Sequence, residues 1–129
     1  MKFLGIDYGA KAVGLAVSNE EGTIAFPKGE LRNDDNFRNA LLQLLEKENI
    51  KQVVLGDTRA LNKEPNAITP EAEDLARYLG EHGIQTKFGW EAWSSQEAAR
   101  YAPKGKKHDN SAAAAIILQR YLDVRGQIW

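Results

Sequence analysis

The chain has 129 residues and a mass of 14.4 kDa, a length that fits one domain, residues 1–129, around a single core. Zero cysteines exclude disulfides and thiolate metal sites, and two histidines are too few for a usual zinc site. A bound metal would therefore be held mainly by oxygen, which favours Mg²⁺ or Mn²⁺. The formal net charge of −1 means that nucleic acid would have to bind through a local basic patch.

Three short apolar runs open the chain, at residues 2–8, 12–18 and about 23–31. Turn-forming residues separate them, so the pattern predicts a three-stranded antiparallel meander. Asp7 stands at the end of the first run, just before Gly9. Strand interiors disfavour aspartate, and burying a carboxylate is costly. An acid at this position therefore suggests a cation or a phosphate group bound nearby.

Helices and buried strands then alternate. Asn33 begins a predicted helix with apolar residues at helical spacing, which ends near Asn49. Residues 51–56 form a buried strand, and an irregular segment follows it. Pro70, at the first helical position, begins a second predicted helix, which runs to His82 and is closed by Gly83.

The last third of the chain carries one more strand, over residues 84–90, and a capping box at Ser94 that opens a short helix. A basic loop follows at residues 103–108, and a last helix runs from Asp109 to about Asp123. This order predicts an α/β fold: a five-stranded mixed sheet, made of the antiparallel meander plus two parallel strands, with helices on both faces.

Acidic residues follow three strands of that sheet: Asp7 ends the first, Asp57 follows the fourth and Glu91 follows the fifth. Sites in such sheets form beyond the carboxyl ends of neighbouring strands, so these acids could share one rim. Asp109 begins a stripe at three- and four-residue spacing that we expect to face the sheet. The stripe comprises Asp109, Ala112, Ala113, Ile116 and Arg120.

Carboxylates brought together in this way would repel one another unless they bound divalent cations. Two such cations can activate a water and stabilise the leaving oxygen in phosphodiester hydrolysis. Asp7 would bridge them, and Glu91 and Asp109 would each complete a coordination shell. Phosphate contacts beside the cut would come from the basic loop. The basic side chains in question are Lys104, Lys106, Lys107 and His108.

Simpler structural roles stay open for several of these residues. Asp109 is equally well explained as a helix N-cap, and Asp57 as an acid in a loop. The basic loop could simply face solvent. Trp90 and Trp93 flank Glu91, and packing explains them better than base stacking does.

Taken together, these motifs resemble one family. They are Leu4-Gly5-Ile6-Asp7-Tyr8-Gly9-Ala10-Lys11 with Val13-Gly14-Leu15-Ala16-Val17-Ser18, Val53-Val54-Leu55-Gly56, Glu91 with Ser94-Ser95, and Asp109 through Ala112-Ala113 to Tyr121-Leu122. The chain resembles the YqgF family, Holliday-junction-resolvase-like proteins of the ribonuclease H fold, over nearly its whole length.

The resemblance implies a metal-dependent endonuclease acting on structured nucleic acid, with roles in maturing the 5′ end of precursor 16S rRNA and at branched DNA. Family carboxylates map onto Asp7, Glu91 and Asp109, and Lys11 stands at the first position of a Lys-Arg pair that family members usually carry and that we expect to contact nucleic acid. Ala12 and Ala92 stand where members usually carry arginine. These departures put the affinity for substrate in doubt more than the binding of metal.

Two other functions compete with the nuclease. The stretch from Gly5 to Gly9 also resembles the first phosphate loop of the sugar-kinase and actin-like fold, but that fold needs two such domains. A non-catalytic RNA- or ribosome-associated binding protein of the same fold is the stronger alternative, favoured by Ala12 and Ala92. In either case we expect a cytoplasmic monomer or homodimer with no membrane partner, since the longest apolar run cannot span a bilayer.

Overall fold

The computed structural model describes residues 1–9, 11–56, 70–88 and 110–128, with the side chains of the last helix described over 111–124. Five strands and three helices lie in these ranges. The strands are β1 (Phe3–Asp7), β2 (Ala12–Ser18), β3 (Ala25–Arg32), β4 (Gln52–Gly56) and β5 (Gln85–Phe88). The helices are α1 (Phe37–Lys47), α2 (Pro70–Glu81) and α3 (Asn110–Ile128).

The strands form a single mixed sheet with the order β3-β2-β1-β4-β5. β1 and β2 pair antiparallel, as do β2 and β3, whereas β1 pairs parallel with β4 and β4 with β5. This is the predicted meander with two parallel strands added. The carboxyl ends of β1, β4 and β5 therefore lie along the same edge of the sheet.

Side chains alternate between the two faces of the sheet, and each face carries its own core. One core packs α1 and α2 against the sheet; among its fully buried members are Leu4, Ile6, Leu41, Val53, Leu55, Leu75 and Leu79. The other packs α3 on the opposite face, with Phe3, Ala16, Val54, Ala114, Ile117, Leu118 and Leu122 buried. Helices therefore cover both faces, as the element order predicts.

The ends of α1 and α2 follow local sequence signals. Asn49, at φ 56°, and Gly83, at φ 80°, take the left-handed conformation just after each helix. Ile50 N donates to Leu45 O at 2.8 Å, and the corresponding bond follows α2. Such bonds satisfy carbonyl groups that the last helical turn leaves free, which explains why both helices end where the sequence predicts.

Two expectations about α3 are wrong. The helix continues to Ile128 instead of ending near Asp123, because one interior glycine costs only about 1 kcal/mol and propagation adds a hydrogen bond per residue. The predicted inward stripe is also displaced. The buried residues are Ala114, Ile117, Leu118 and Leu122, whereas the predicted Ala112, Ala113, Ile116 and Arg120 are only partly buried.

Glycines in the sheet explain which face of α3 is buried. A Cβ atom added at Gly5 would lie 2.7 Å from Leu118 Cβ and 2.9 Å from the Ala114 carbonyl oxygen. At Gly56 it would lie 2.6 Å from Ile117 Cδ1. The backbone of β1 and β4 is thus in direct contact with the helix, and the large apolar side chains of α3 occupy the space that the two glycines leave.

A charged cluster joins the amino-terminal end of β1 to the end of α1. Lys2 Nζ lies 3.0 Å from Glu48 Oε1, and Lys28 Nζ lies 3.7 Å from Glu48 Oε2. The hydrogen bond from Lys2, followed by the charge of Lys28, holds the pKa of the Glu48 carboxyl below its ordinary value of 4.5. A lowered carboxyl pKa stabilises the fold above that ordinary value, and the contribution is lost as the pH falls through the lowered pKa.

Glu48→Gln should therefore lower the unfolding temperature at pH 7 and make the loss of stability below pH 4.5 less steep. Thermal unfolding between pH 3 and 7 measures both effects. Glu46→Gln is the matched control, because Glu46 is exposed and forms no ion pair with a described residue. Identical pH profiles for the two variants would contradict a stabilising role for the cluster.

Candidate active site

Asp7 is the last residue of β1 and is almost completely buried, with 2% of its surface exposed. Its register partner on β2 is Gly14 and its partner on β4 is Gly56. No side chain therefore projects from either neighbouring strand beside Asp7. Both neighbouring strands thus bring only backbone beside the carboxylate that the sequence predicts to be functional, and the side chain of Ile117 in α3 lies over Gly56.

The turn after Asp7 is held in place by hydrogen bonds from two directions. Tyr8 N donates to Gly56 O at 2.9 Å, extending the pairing of β1 with β4. Asn33, the residue directly after β3, donates from its side chain to Gly9 O at 2.8 Å and from its backbone to Lys11 O at 2.9 Å. A Cβ at position 9 would lie 2.4 Å from a carbonyl oxygen of β2, so only glycine fits there.

Sequence reasoning missed this role of Asn33. The run Asn33-Asp34-Asp35 predicts a helix start, but α1 begins at Phe37 after Asn36, and Asn33 bonds to the turn beside Asp7 instead. Polar residues that cap helices also stabilise turns, so the local sequence could not distinguish the two. The pairing that brings β3 beside the first turn is what decides between them.

Of the remaining predicted site residues, the structure describes only Lys11. Lys11 is exposed at the turn that follows Asp7. The other residues of the predicted site lie outside the described residues, as do the alternative acid and the two flanking tryptophans. They are Glu91, Asp109, Lys104, Lys106, Lys107, His108, Asp57, Trp90 and Trp93. Their positions remain predictions.

The described residues contain no group of three or more side chains able to hold a metal ion. Among the predicted metal ligands, only Asp7 lies in the described residues, so only its chemistry can be compared with what the metal requires. Its carboxylate supplies the hard oxygen atoms that Mg²⁺ and Mn²⁺ prefer. The chemistry of this one ligand fits the predicted metal.

The direction in which α3 crosses the sheet shows which end of the helix lies toward Asp7. Ala114 and Leu118 contact Gly5, and the ring of Tyr121 lies 6.0 Å from that of Phe3, so α3 runs antiparallel to β1. The four residues from 114 back to 110 rise about 6 Å, and the two residues from Gly5 to Asp7 span about 6.6 Å. The first turn of α3 therefore lies toward the end of β1 that carries Asp7.

The sheet order, the mixture of antiparallel and parallel strands and the placement of helices on both faces define a ribonuclease H-like α/β protein. Solved structures of RuvC from Thermus thermophilus share this fold. One, in complex with a Holliday junction substrate, superposes with a TM-score of 0.56 at 14% identity and covers 98% of this chain and 96% of its own. A second RuvC structure gives the same TM-score at 15% identity.

The family model described as RuvX, Holliday junction resolvase, matches residues 1–124. This chain belongs to the RuvX family, which confirms the resemblance to YqgF proteins. A relative from Dictyoglomus turgidum is 35% identical over 133 residues, covering 95% of this chain and 94% of its own length. One from Maridesulfovibrio salexigens is 32% identical, covering 95% and 98%. Both carry the name "Putative pre-16S rRNA nuclease".

The predicted nuclease class is thereby confirmed at the level of the family. The described residues include no helix long and apolar enough to cross a membrane.

Proposed function

We propose that this protein is a divalent-metal-dependent endonuclease that cuts structured nucleic acid, with precursor 16S rRNA as its substrate. The observation that carries the proposal is the buried carboxylate of Asp7 at a strand end, with a glycine in register on either side. The names of the relatives favour the RNA substrate. The description of the family model favours a four-way DNA junction as a second candidate.

Asp7, Glu91 and Asp109 are the residues that would hold Mg²⁺ or Mn²⁺. Bound there, the metal would supply Lewis-acid chemistry, activating a water and stabilising the leaving oxygen of the phosphodiester. The role of the protein is to hold the oxygen ligands, to bind the strand and to orient its phosphate for attack. Lys11 and the basic segment Lys104–His108 would contact phosphates on either side of the cut.

Strand geometry supports a place for Glu91 near Asp7. β5 ends at Phe88, in register with Leu55, and runs parallel to β4 and β1. Two strand spacings, roughly 9.6 Å, separate β5 from β1. The three residues from Phe88 to Glu91 can span about 10 Å when extended, so the chain is long enough to bring the Glu91 carboxylate to the metal.

Helix geometry supports a place for Asp109. The residue directly precedes Asn110, where α3 begins, and the first turn of α3 lies toward the Asp7 end of β1. Asp109 would approach the metal from this end of α3, and the inward stripe, which the structure corrects, plays no part.

Cleavage assays with the purified protein test the proposal. A labelled fragment spanning the 5′ end of 16S rRNA within its precursor, and a four-way DNA junction, are each incubated in Mg²⁺, Mn²⁺ or EDTA across a range of salt. We expect cleavage of the RNA with either metal and none in EDTA. Cleavage of the junction alone would shift the substrate to DNA. RNA binding that persists in EDTA without any cleavage would favour the non-catalytic alternative.

A further inference from the structure

Arg32 lies on the same face of the sheet as Asp7 and close to it. It is the last residue of β3, and its register partner is Ala12 on β2, two residues before the Gly14 that pairs with Asp7. The preceding residue, Leu31, packs against the core formed with α1 and α2. Because side chains alternate along a strand, Arg32 projects from the opposite face, the one that carries α3.

The guanidinium of Arg32 is available for a ligand. The residue is exposed and makes no ion pair with any described residue, including Glu30 two positions earlier. By contrast, Arg38 and Arg77 share the carboxylate of Asp74. A guanidinium has five N–H donors in a planar fork that matches phosphate oxygens, which makes arginine well suited to bidentate phosphate contacts.

The position of Arg32 relative to Asp7 is fixed by the fold. Asn33 bonds the end of β3 to Gly9 and Lys11, in the turn that directly follows Asp7. Two strand spacings and two residues along the strand separate the Cα atoms of Arg32 and Asp7, a distance of roughly 12 Å. Such a distance corresponds to about three or four base-pair steps of 3.4 Å along the axis of a duplex.

We propose that Arg32 is a substrate-positioning residue that binds a backbone phosphate a few nucleotides from the bond cut at Asp7, with Lys11 contacting a phosphate between them. This inference rests on the proposed nuclease function, because it takes Asp7 as the point of cleavage. Arg32 acts on the strand and not on the reacting atoms. Its contribution is therefore to affinity and to KM, and it is independent of base sequence.

Binding measured without cleavage tests the proposal directly. Labelled precursor RNA is titrated in EDTA at several salt concentrations with the wild-type protein and with Arg32→Ala. We expect the variant to bind about tenfold more weakly, as for a lost charged hydrogen bond. The slope of log K against log salt should fall by about 0.7 to 0.9, as for one lost phosphate contact. Arg77→Ala, on α2 across the sheet, is the matched control and should leave the slope unchanged.

A rescue variant separates phosphate binding from a structural role of Arg32. Ala12 and Arg32 are direct cross-strand partners, with Cβ atoms about 5 Å apart. Ala12→Arg combined with Arg32→Ala moves the guanidinium by one strand and should restore both the affinity and the salt slope. If Arg32 only protects the edge strand from pairing with another chain, the single variant keeps the wild-type slope, and that result overturns the proposal.

Failure of the role proposed for Arg32 can be distinguished from failure of the proposed nuclease function. A wild-type protein that binds RNA but does not cut it would refute the nuclease, whereas the salt slope of Arg32→Ala would still report phosphate contact. A wild-type protein that cuts, together with an Arg32→Ala variant of unchanged KM and salt slope, would refute the role of Arg32 alone. With the role of Arg32 upheld, KM rises in the variant while kcat stays within about twofold.

Discussion

Asp7→Asn should abolish cleavage while leaving the fold intact. Asparagine has nearly the shape of aspartate, so the buried position at the end of β1 can accept it. It lacks the negative charge that a divalent cation requires. Losing several kcal/mol of metal-assisted stabilisation corresponds to a decrease in rate of roughly 10³-fold or more. Single-turnover cleavage of precursor RNA in Mg²⁺ and Mn²⁺ measures the effect.

Asp123→Asn is the matched control for this experiment. Asp123 is exposed near the far end of α3, where its Oδ1 accepts a hydrogen bond from Gln119, and an asparagine Oδ1 can accept the same bond. The control should cleave at the wild-type rate. Both variants should unfold within a few degrees of the wild type. Substantial activity in Asp7→Asn, with the fold intact, would remove Asp7 from the active site.

Gly5→Ala should clearly destabilise the fold. The added methyl would lie 2.7 Å from Leu118 Cβ and 2.9 Å from the Ala114 carbonyl oxygen, whereas carbon atoms prefer separations of about 3.5 to 4.0 Å. Neither neighbour is the free end of a flexible side chain, so α3 must move away from β1. Overpacking of this kind costs about 1–3 kcal/mol, which thermal or urea unfolding would detect.

Gly80→Ala makes the same chemical change where it should have the opposite effect. Gly80 lies in α2, and nothing stands within 4 Å of the position that its Cβ would take. Alanine there should stabilise the fold by about 0.5–1 kcal/mol, because glycine loses more conformational freedom in a helix. A Gly5→Ala variant as stable as Gly80→Ala would mean that α3 does not contact β1 as closely as described.

The strands and the first two helices could be predicted because their signals are local. Apolar runs separated by turn residues give β1, β2 and β3, and the left-handed positions Asn49 and Gly83 end α1 and α2. The antiparallel pairing of β1, β2 and β3 followed from the short connections between them. Each of these predictions depends on residues within a few positions of one another.

The orientation of α3 could not be predicted because it depends on distant residues. The alanine-rich sequence from 112 to 115 allows several faces to pack against the sheet. Gly5 and Gly56 determine which face is buried, because they leave space for the side chains of Leu118 and Ile117. The local sequence places Asn33 in the wrong element for the same reason, since its partners at Gly9 and Lys11 come beside it only through strand pairing.

The residues of the candidate site also differ in whether local sequence is enough to predict them. Asp7 could be identified from its own strand, because an acid at the end of an apolar run is unusual, and the structure buries it between two glycines. Glu91, Asp109 and the basic segment Lys104–His108 depend on how the chain runs between β5 and α3. Spacing along the sequence does not determine that path.

Anomalous diffraction from crystals soaked in Mn²⁺ tests the central claim most directly, because it locates the metal without relying on activity. We predict an anomalous peak beside the Asp7 carboxylate, with oxygen atoms of Glu91 and Asp109 coordinating the same site, and no such peak in crystals of Asp7→Asn. A well-ordered wild-type structure whose three carboxylates point away from one another, with no manganese at Asp7, would contradict the account.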